Sequence, residues 1–173
     1  LYDLSKFVVF GASNSGRTSE VVTLMKKLHS QGHKDRYGLT ANEQTVLERV
    51  CTKAYVLQCG WEEAVAATKS AAEQALFYQS IVSRVAGRDM AADMDGASEK
   101  VQSDLSAPID PEIVRTMAEA PTVYFAGWND GVAEELTLKT NEITRGKSDF
   151  LEGTYAVHGI EEVMDPADVV FVI

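Results

Sequence analysis

Phe7-Val8-Val9-Phe10-Gly11-Ala12-Ser13-Asn14-Ser15-Gly16-Arg17-Thr18-Ser19-Glu20 reads as an apolar strand that runs into a loop of small hydroxyl residues and opens a helix. Backbone N–H groups in the first turn of a helix lack intrahelical acceptors and carry about half a positive charge, so an anion placed there gains hydrogen bonds and favourable electrostatics. Ser13, Ser15 and Thr18 add hydroxyl donors, Asn14 stands among them, and Gly16 lets the backbone come close to a ligand without a Cβ. The loop has neither the Lys-Ser/Thr ending of a nucleotide P-loop nor the three-glycine dinucleotide fingerprint. A small phosphorylated ligand remains, rather than ATP or NAD.

Outward from this loop the chain alternates. Val21, Val22, Leu24, Met25 and Leu28 form an apolar stripe at helical spacing, closed by Gly32. Residues 36–40 read as a second strand, Asn42 as the cap of a helix reaching Val50, and 54–58 as a third strand. Strands and helices alternating at this spacing predict an α/β fold with parallel sheet covered on both faces, a three-layer αβα sandwich. Cys59-Gly60-Trp61-Glu62-Glu63-Ala64-Val65-Ala66-Ala67-Thr68-Lys69-Ser70 reads as the start of a long alanine-rich helix reaching about Val85. Ligands bind beyond the carboxyl ends of strands in such sheets, which marks Glu62, Thr68 and Lys69, whereas Ala71, Ala75, Phe77 and Tyr78 read as packing residues.

Between Gly87 and Pro111 the composition turns to Gly, Ala, Ser, Asp and Met, and reads as a connector with helical pieces. After a short helix over 112–119 the pattern restarts: strand 122–126, the turn Gly127-Trp128-Asn129-Asp130-Gly131, helix 132–144, strand 148–152, the segment Gly153-Thr154-Tyr155-Ala156-Val157-His158-Gly159, a short acidic helix, and an apolar strand over 169–173. The expected organisation is a first domain over 1–86, a connector with helices over 87–120, and a second domain from 121 to 173. On helix 132–144, Glu135, Lys139 and Glu142 fall at i, i+4 and i+7 and share one face, as either a solvated salt-bridge stripe or part of a site.

Composition narrows the classes of function. With 16 basic and 26 acidic residues the net charge is -10, which argues against nucleic acid and anionic membrane surfaces but not against a phosphate bound locally by N–H and hydroxyl donors beside Arg17. An apolar fraction of 45% supplies a core, and no apolar run approaches the ~20 residues that span a bilayer, so a cytoplasmic location is the expectation. Cys51 and Cys59 lack CxxC spacing and read as reduced, buried residues; no cluster has metal-ligand spacing, so neither metal nor cofactor is expected. His29 and His33, at the end of a helix, are expected to be solvated, while His158, at a strand-loop junction before a glycine, is open to a core or capping role or to a catalytic one. The chain opens without Met and ends in an apolar strand, which reads as a segment of a longer polypeptide.

These pieces in this order resemble the sugar isomerase (SIS) family, in particular double-SIS phosphosugar isomerases like the isomerase part of glutamine:fructose-6-phosphate amidotransferase. The family's phosphate loop, Ser-x-Ser-Gly-x-Thr-x-Glu, is matched by Ser13-Asn14-Ser15-Gly16-Arg17-Thr18-Ser19-Glu20. Its Glu followed by Val-Ala-Ser-Thr-Lys is matched by Glu62 and Val65-Ala66-Ala67-Thr68-Lys69, with Ala67 in place of the usual Ser. Its Leu-Glu-Gly-Ala-Leu-Lys-x-Lys-Glu-Ile helix resembles residues 134–143, and its Lys-His-Gly resembles Val157-His158-Gly159, with the family's interval kept between Glu142 and His158.

The resemblance implies a fold containing parts of two SIS domains and aldose-ketose isomerisation of a 6-phosphosugar. Ser13, Asn14, Ser15 and Thr18 would hold the phosphate; Glu62, Val65, Ala67 and Thr68 would contact the sugar. Glu142 would move a proton between C1 and C2 through an enediol, His158, from a neighbouring subunit in some relatives, would assist ring opening, and Glu135 and Lys139 would support them. A homodimer or higher homo-oligomer is implied. The alternatives are a phosphosugar deglycase or amino-sugar-phosphate deaminase, which uses the same proton shuttling, and a non-catalytic phosphosugar-sensing module, which needs the loop but not the Glu-His pair.

Overall fold

The computed structural model describes residues 3–128, 131–153 and 158–173. The chain divides into two compact units, Leu1–Met94 and Asp95–Ile173, each built on three parallel strands.

In the first unit, β1 (Val9–Ala12), β2 (Arg36–Thr40) and β3 (Lys53–Val56) lie in the order β1-β2-β3. The register pairs Ala12 with Leu39 and Thr40 with Val56, so all three strands end at one edge of the sheet. Side chains alternate across it. Gly38 faces α1 (Ser19–Ser30) and α2 (Val46–Val50), where Met25, Leu28, Leu47 and Cys51 form a buried cluster with Val9, Val21 and Val50 packed on it. Leu39 faces the other way and joins Ala41 and Leu57 in a cluster covered by Phe77 and Tyr78 of α3 (Lys69–Val85). Phe10 stacks on Tyr37 and meets Phe77 and Tyr78 edge-on. The unit is thus the expected αβα sandwich, with Phe77 and Tyr78 in their expected packing role.

Several local expectations are corrected. The first strand begins at Val9, leaving Phe7 and Val8 exposed. The second helix is capped not by Asn42 but by Thr45, whose hydroxyl accepts from the Glu48 amide while the Glu48 carboxylate accepts from the Thr45 amide at 2.7 Å, a reciprocal capping box. The alanine-rich helix starts at Lys69, ten residues later than Cys59, because Gly60 sits at φ +68° and the Glu62 carboxylate folds back onto the helix start. His33 is half-buried and bonds the Leu4 carbonyl at 2.8 Å, and His29 meets the Arg36 guanidinium at 2.7 Å, so neither is simply solvated. Cys51 is buried, Cys59 half-buried, and both are free thiols.

α4 (Ala91–Ser106) is one continuous helix where the composition suggested a connector. In the second unit, α5 (Pro111–Glu119) starts with Pro at its first position and Asp110 as its cap. β4 (Val123–Gly127) is the central strand, flanked by β5 (Ser148–Glu152) and β6 (Val169–Val172), and α6 (Val132–Thr144) connects β4 to β5. Val123 and Phe125 pack with Ala133 of α6, Met117 of α5 and Phe171 on one face; Tyr124, Ala126 and Leu151 pack with Ile160 and Met164 on the other. All four core positions of β4 are buried, as its central place in the sheet requires. Asn129, Asp130 and residues 154–157, which include the expected turn and Val157, lie outside the described residues.

Leu47 is fully buried between α1, α2 and β2. Leu47→Ala should lower the unfolding free energy by about 2–5 kcal/mol, read as a lower urea midpoint at unchanged slope.

Candidate functional site

The loop between β1 and α1 is held by its own backbone and by the neighbouring strand. The Ser13 amide donates to Leu39 O at 2.9 Å, and Asn14 O accepts from the Ala41 amide, the Thr40 hydroxyl and the Asn42 side-chain amide. Gly16 turns the chain at φ +63°, its carbonyl accepts from the Leu47 amide at 3.2 Å, and a Cβ there would lie 2.4 Å from Thr45. The cap of α2 therefore presses against this glycine, which no other residue could replace without moving it.

Ser13 is buried and its Oγ lies 2.7 Å from Thr18 Oγ1, a bond that ties the two ends of the loop together. Ser15 and Thr18 are exposed, and Ser15 Oγ accepts from the Arg17 amide at 3.2 Å. The Asn14 Oδ1 atom is buried without a partner among the described residues. At the start of α1, the first intrahelical bond runs from the Val22 amide to Thr18 O, leaving the amides of Ser19, Glu20 and Val21 without an acceptor among the described residues. Hydroxyls and bare amides thus converge at the carboxyl edge of the sheet, an arrangement able to bind a tetrahedral oxyanion. A cavity of about 660 Å³ opens at the opposite end of α1, beside Leu4, Leu24 and His33. It lies at the wrong edge of the sheet for a ligand of this loop.

Glu62 is buried despite its charge. Its Oε1 accepts from the Thr68 amide at 2.6 Å, the Thr68 hydroxyl at 2.7 Å and the Lys69 amide at 3.0 Å; Oε2 accepts from the Ser70 amide at 3.3 Å and from the Ser70 hydroxyl. The Ser70 and Thr68 hydroxyls, then the backbone amides, outweigh desolvation and hold the Glu62 carboxyl down at about 2. Of the other residues matched to the sugar-contact motif, Val65 is fully exposed, Ala67 is half-buried, and Thr68 is spent on Glu62.

Glu135, Lys139, Glu142 and His158 belong to the second unit. Lys139 reaches Glu142 at 2.7 Å and Glu135 at 3.5 Å, with its own side chain only 16% exposed. Burial alone would lower the Lys139 pKa, but the bonds and charges of Glu142 and Glu135 outweigh it and raise the value. The expected shared face is therefore real, and it is a triad centred on a half-buried ammonium. His158 is exposed, in a turn just ahead of Gly159, which has φ +89°. Sequence reasoning passed over Thr45 and Glu73. A Thr-x-x-Glu spacing over 45–48 signalled the first; no sequence signal marked the second.

No protein-family model and no curated protein matches the sequence. Solved structures do. The C-terminal domain of glucosamine-fructose-6-phosphate aminotransferase from Francisella tularensis matches at TM-score 0.74 and 18% identity over 96% of this chain and 52% of that one. Glucosamine-6-phosphate deaminase from Thermotoga maritima matches at 0.71 and 23% identity over 94% and 51%. Tagatose-6-phosphate ketose/aldose isomerase from Escherichia coli matches at 0.70 and 18% identity over 94% and 47%. The chain has the SIS fold. It spans about half the length of these SIS-fold chains.

Two measurements check the site. Gly16→Ala should destabilise the chain by about 1–3 kcal/mol through the left-handed backbone alone, and calorimetry should find no binding of inorganic phosphate. The Glu62 carboxyl, depressed in the folded chain, contributes stability that is complete above its ordinary value near 4.5 and is lost as the pH falls towards about 2. Acid titration followed by circular dichroism should show that part of the stability profile between pH 4.5 and 2, and Glu62→Gln should remove it.

Proposed function

We propose that the chain belongs to the SIS family and forms part of an enzyme that isomerises a 6-phosphosugar between aldose and ketose. The observation that carries this reading is the loop ahead of α1, where the exposed residues Ser15 and Thr18 precede the amides of Ser19, Glu20 and Val21, which have no acceptor among the described residues. Ser13, bonded to Thr18, sets the shape of that loop, and Asn14 anchors it to β2. Holding the phosphate fixes the remote end of the sugar, and this binding energy places the reacting carbons.

Glu142 removes the proton from C2 of the open-chain aldose and returns it to C1, passing through an enediol, while the O2 hydroxyl proton passes to O1; the reverse direction uses the same carboxylate. Lys139 orients that carboxylate through its 2.7 Å bond, and Glu135 holds the ammonium from the other side. His158, exposed and beside a glycine, serves ring opening. Neither metal nor cofactor enters this scheme. The enzyme acts in the cytoplasm as a homodimer or higher homo-oligomer. The described helices include none long and apolar enough to cross a membrane.

A second reading is amine release from a phosphorylated amino sugar, favoured by the likeness to glucosamine-6-phosphate deaminase. Proton transfer beside C1 and C2 serves both reactions. The third, a phosphosugar sensor, requires no Glu142.

The test is the complete protein with a panel containing fructose-6-phosphate, tagatose-6-phosphate and glucosamine-6-phosphate, assayed for the isomeric sugar and for ammonia. Isomer without ammonia is the expected result; ammonia identifies a deaminase, and binding without turnover identifies a sensor. Glu142→Gln should cut turnover by about 10²–10⁴-fold while phosphosugar binding, followed by calorimetry, persists.

A further inference from the structure

The segment from Cys59 to Thr68 follows β3 and precedes α3, and carries the exposed Val65 at its tip. It leaves the sheet at the same edge as the Ser13–Thr18 loop. Ser13 follows a residue paired with Leu39, the neighbouring Thr40 pairs with Val56, and strands lie about 4.8 Å apart. The two loops therefore start about 10 Å apart on either side of β2, a separation suited to ligands that fill both.

A segment of this kind, containing Gly60 at positive φ and three successive exposed residues in Glu63, Ala64 and Val65, would ordinarily be free to move. Two carboxylates prevent this, and they act reciprocally. Glu62, in the segment, caps α3. Glu73, one turn into α3, reaches back to the start of the segment: its Oε1 accepts from the Gln58 amide and its Oε2 from the Cys59 amide, each at 2.7 Å. Burial alone would raise the Glu73 carboxyl, but the two amides outweigh it and keep the value below its ordinary range. Among the described residues, no hydrogen bond or ion pair joins Glu73 to the loop that would bind phosphate. Its only bonds among the described residues go to those two amides and the segment they begin.

We infer that Glu73 is a positioning residue for the sugar end of the ligand. Its two-amide grip, closed by the Glu62 cap, holds the 59–68 segment in the one conformation that presents Val65 and the backbone of Ala66 and Ala67 at the same sheet edge as the phosphate loop. This rests on the phosphosugar reading above and deepens it: the anion end and the sugar end of one ligand are organised by separate devices. Relaxing the grip lowers the fraction of molecules with the segment in place, and the apparent dissociation constant rises in inverse proportion.

The experiment compares the complete wild-type protein with Glu73→Gln, which cannot accept from both amides, using fructose-6-phosphate and, separately, inorganic phosphate as calorimetric probes. The expected result is fructose-6-phosphate binding weakened about tenfold with inorganic phosphate binding unchanged, and faster amide hydrogen exchange across 58–68. A general loss of stability would weaken both probes together, and that outcome overturns the inference. Unchanged fructose-6-phosphate binding or unchanged exchange in the variant also overturns it, leaving the proposed function standing. Wild type that binds inorganic phosphate but no phosphosugar overturns the proposed function and this inference with it. Glu73→Asp, whose shorter carboxylate fits the same charge to the wrong reach, should reproduce the tenfold loss if Glu73→Gln fails to fold.

Discussion

Every helix in a parallel α/β sheet begins with backbone amides that need an acceptor, and in this chain that requirement is met in two opposite ways at the same edge of one sheet. At α3 the Glu62 carboxylate takes the amides of Thr68, Lys69 and Ser70 together with two hydroxyls. At α1 the amides of Ser19, Glu20 and Val21 have no acceptor among the described residues. One helix start is filled from within the chain and becomes rigid; the other is framed by Ser15 and Thr18 and suited to an external anion. The sheet register, which pairs Ala12 with Leu39 and Thr40 with Val56, puts the two at the same edge on either side of β2.

The same economy of short polar contacts shapes the rest of the loop. Thr45 caps α2 and at once crowds Gly16, so the position of a five-residue helix is coupled to the backbone conformation of the Ser13–Thr18 loop. Met25 and Leu47, both fully buried, lock α1 and α2 together beneath it. In the second unit a different device operates: Lys139, largely buried on α6, bridges Glu135 and Glu142 and keeps two carboxylates on one helical face. An ammonium so placed restrains the rotamers of both carboxylates, as the proton-transfer role proposed for Glu142 would require.

The sequence was most readable where periodicity governs. The alternation of apolar strands with stripes such as Val21, Val22, Met25 and Leu28 marked the parallel α/β architecture, and the run from Ser13 to Thr18 marked the loop between the first strand and its helix. It was least readable where a distant side chain competes with local propensity. Alanine-rich residues 64–67 have high helix propensity, yet they are not helical, because the capping bonds of Glu62 start α3 at Lys69 instead. His33 looked like a surface residue because the Leu4 carbonyl that receives it lies twenty-nine positions away.

The amino-acid sequence by itself determined the fold class, the place of the strand-to-helix loop over Ser13–Thr18, and the shared face of Glu135, Lys139 and Glu142, since each follows from spacing along a strand or a helix. Only the tertiary structure decided which of the motif residues are exposed and which are consumed. Thr68 and Glu62 satisfy each other, Ser13 closes its own loop, Ser15 and Val65 face outward, and Glu73 grips two amides fifteen and fourteen residues behind it. The physical reason is that a hydrogen bond between groups five to fifteen residues apart, made where a strand gives way to loop and helix, leaves no periodic trace in the sequence.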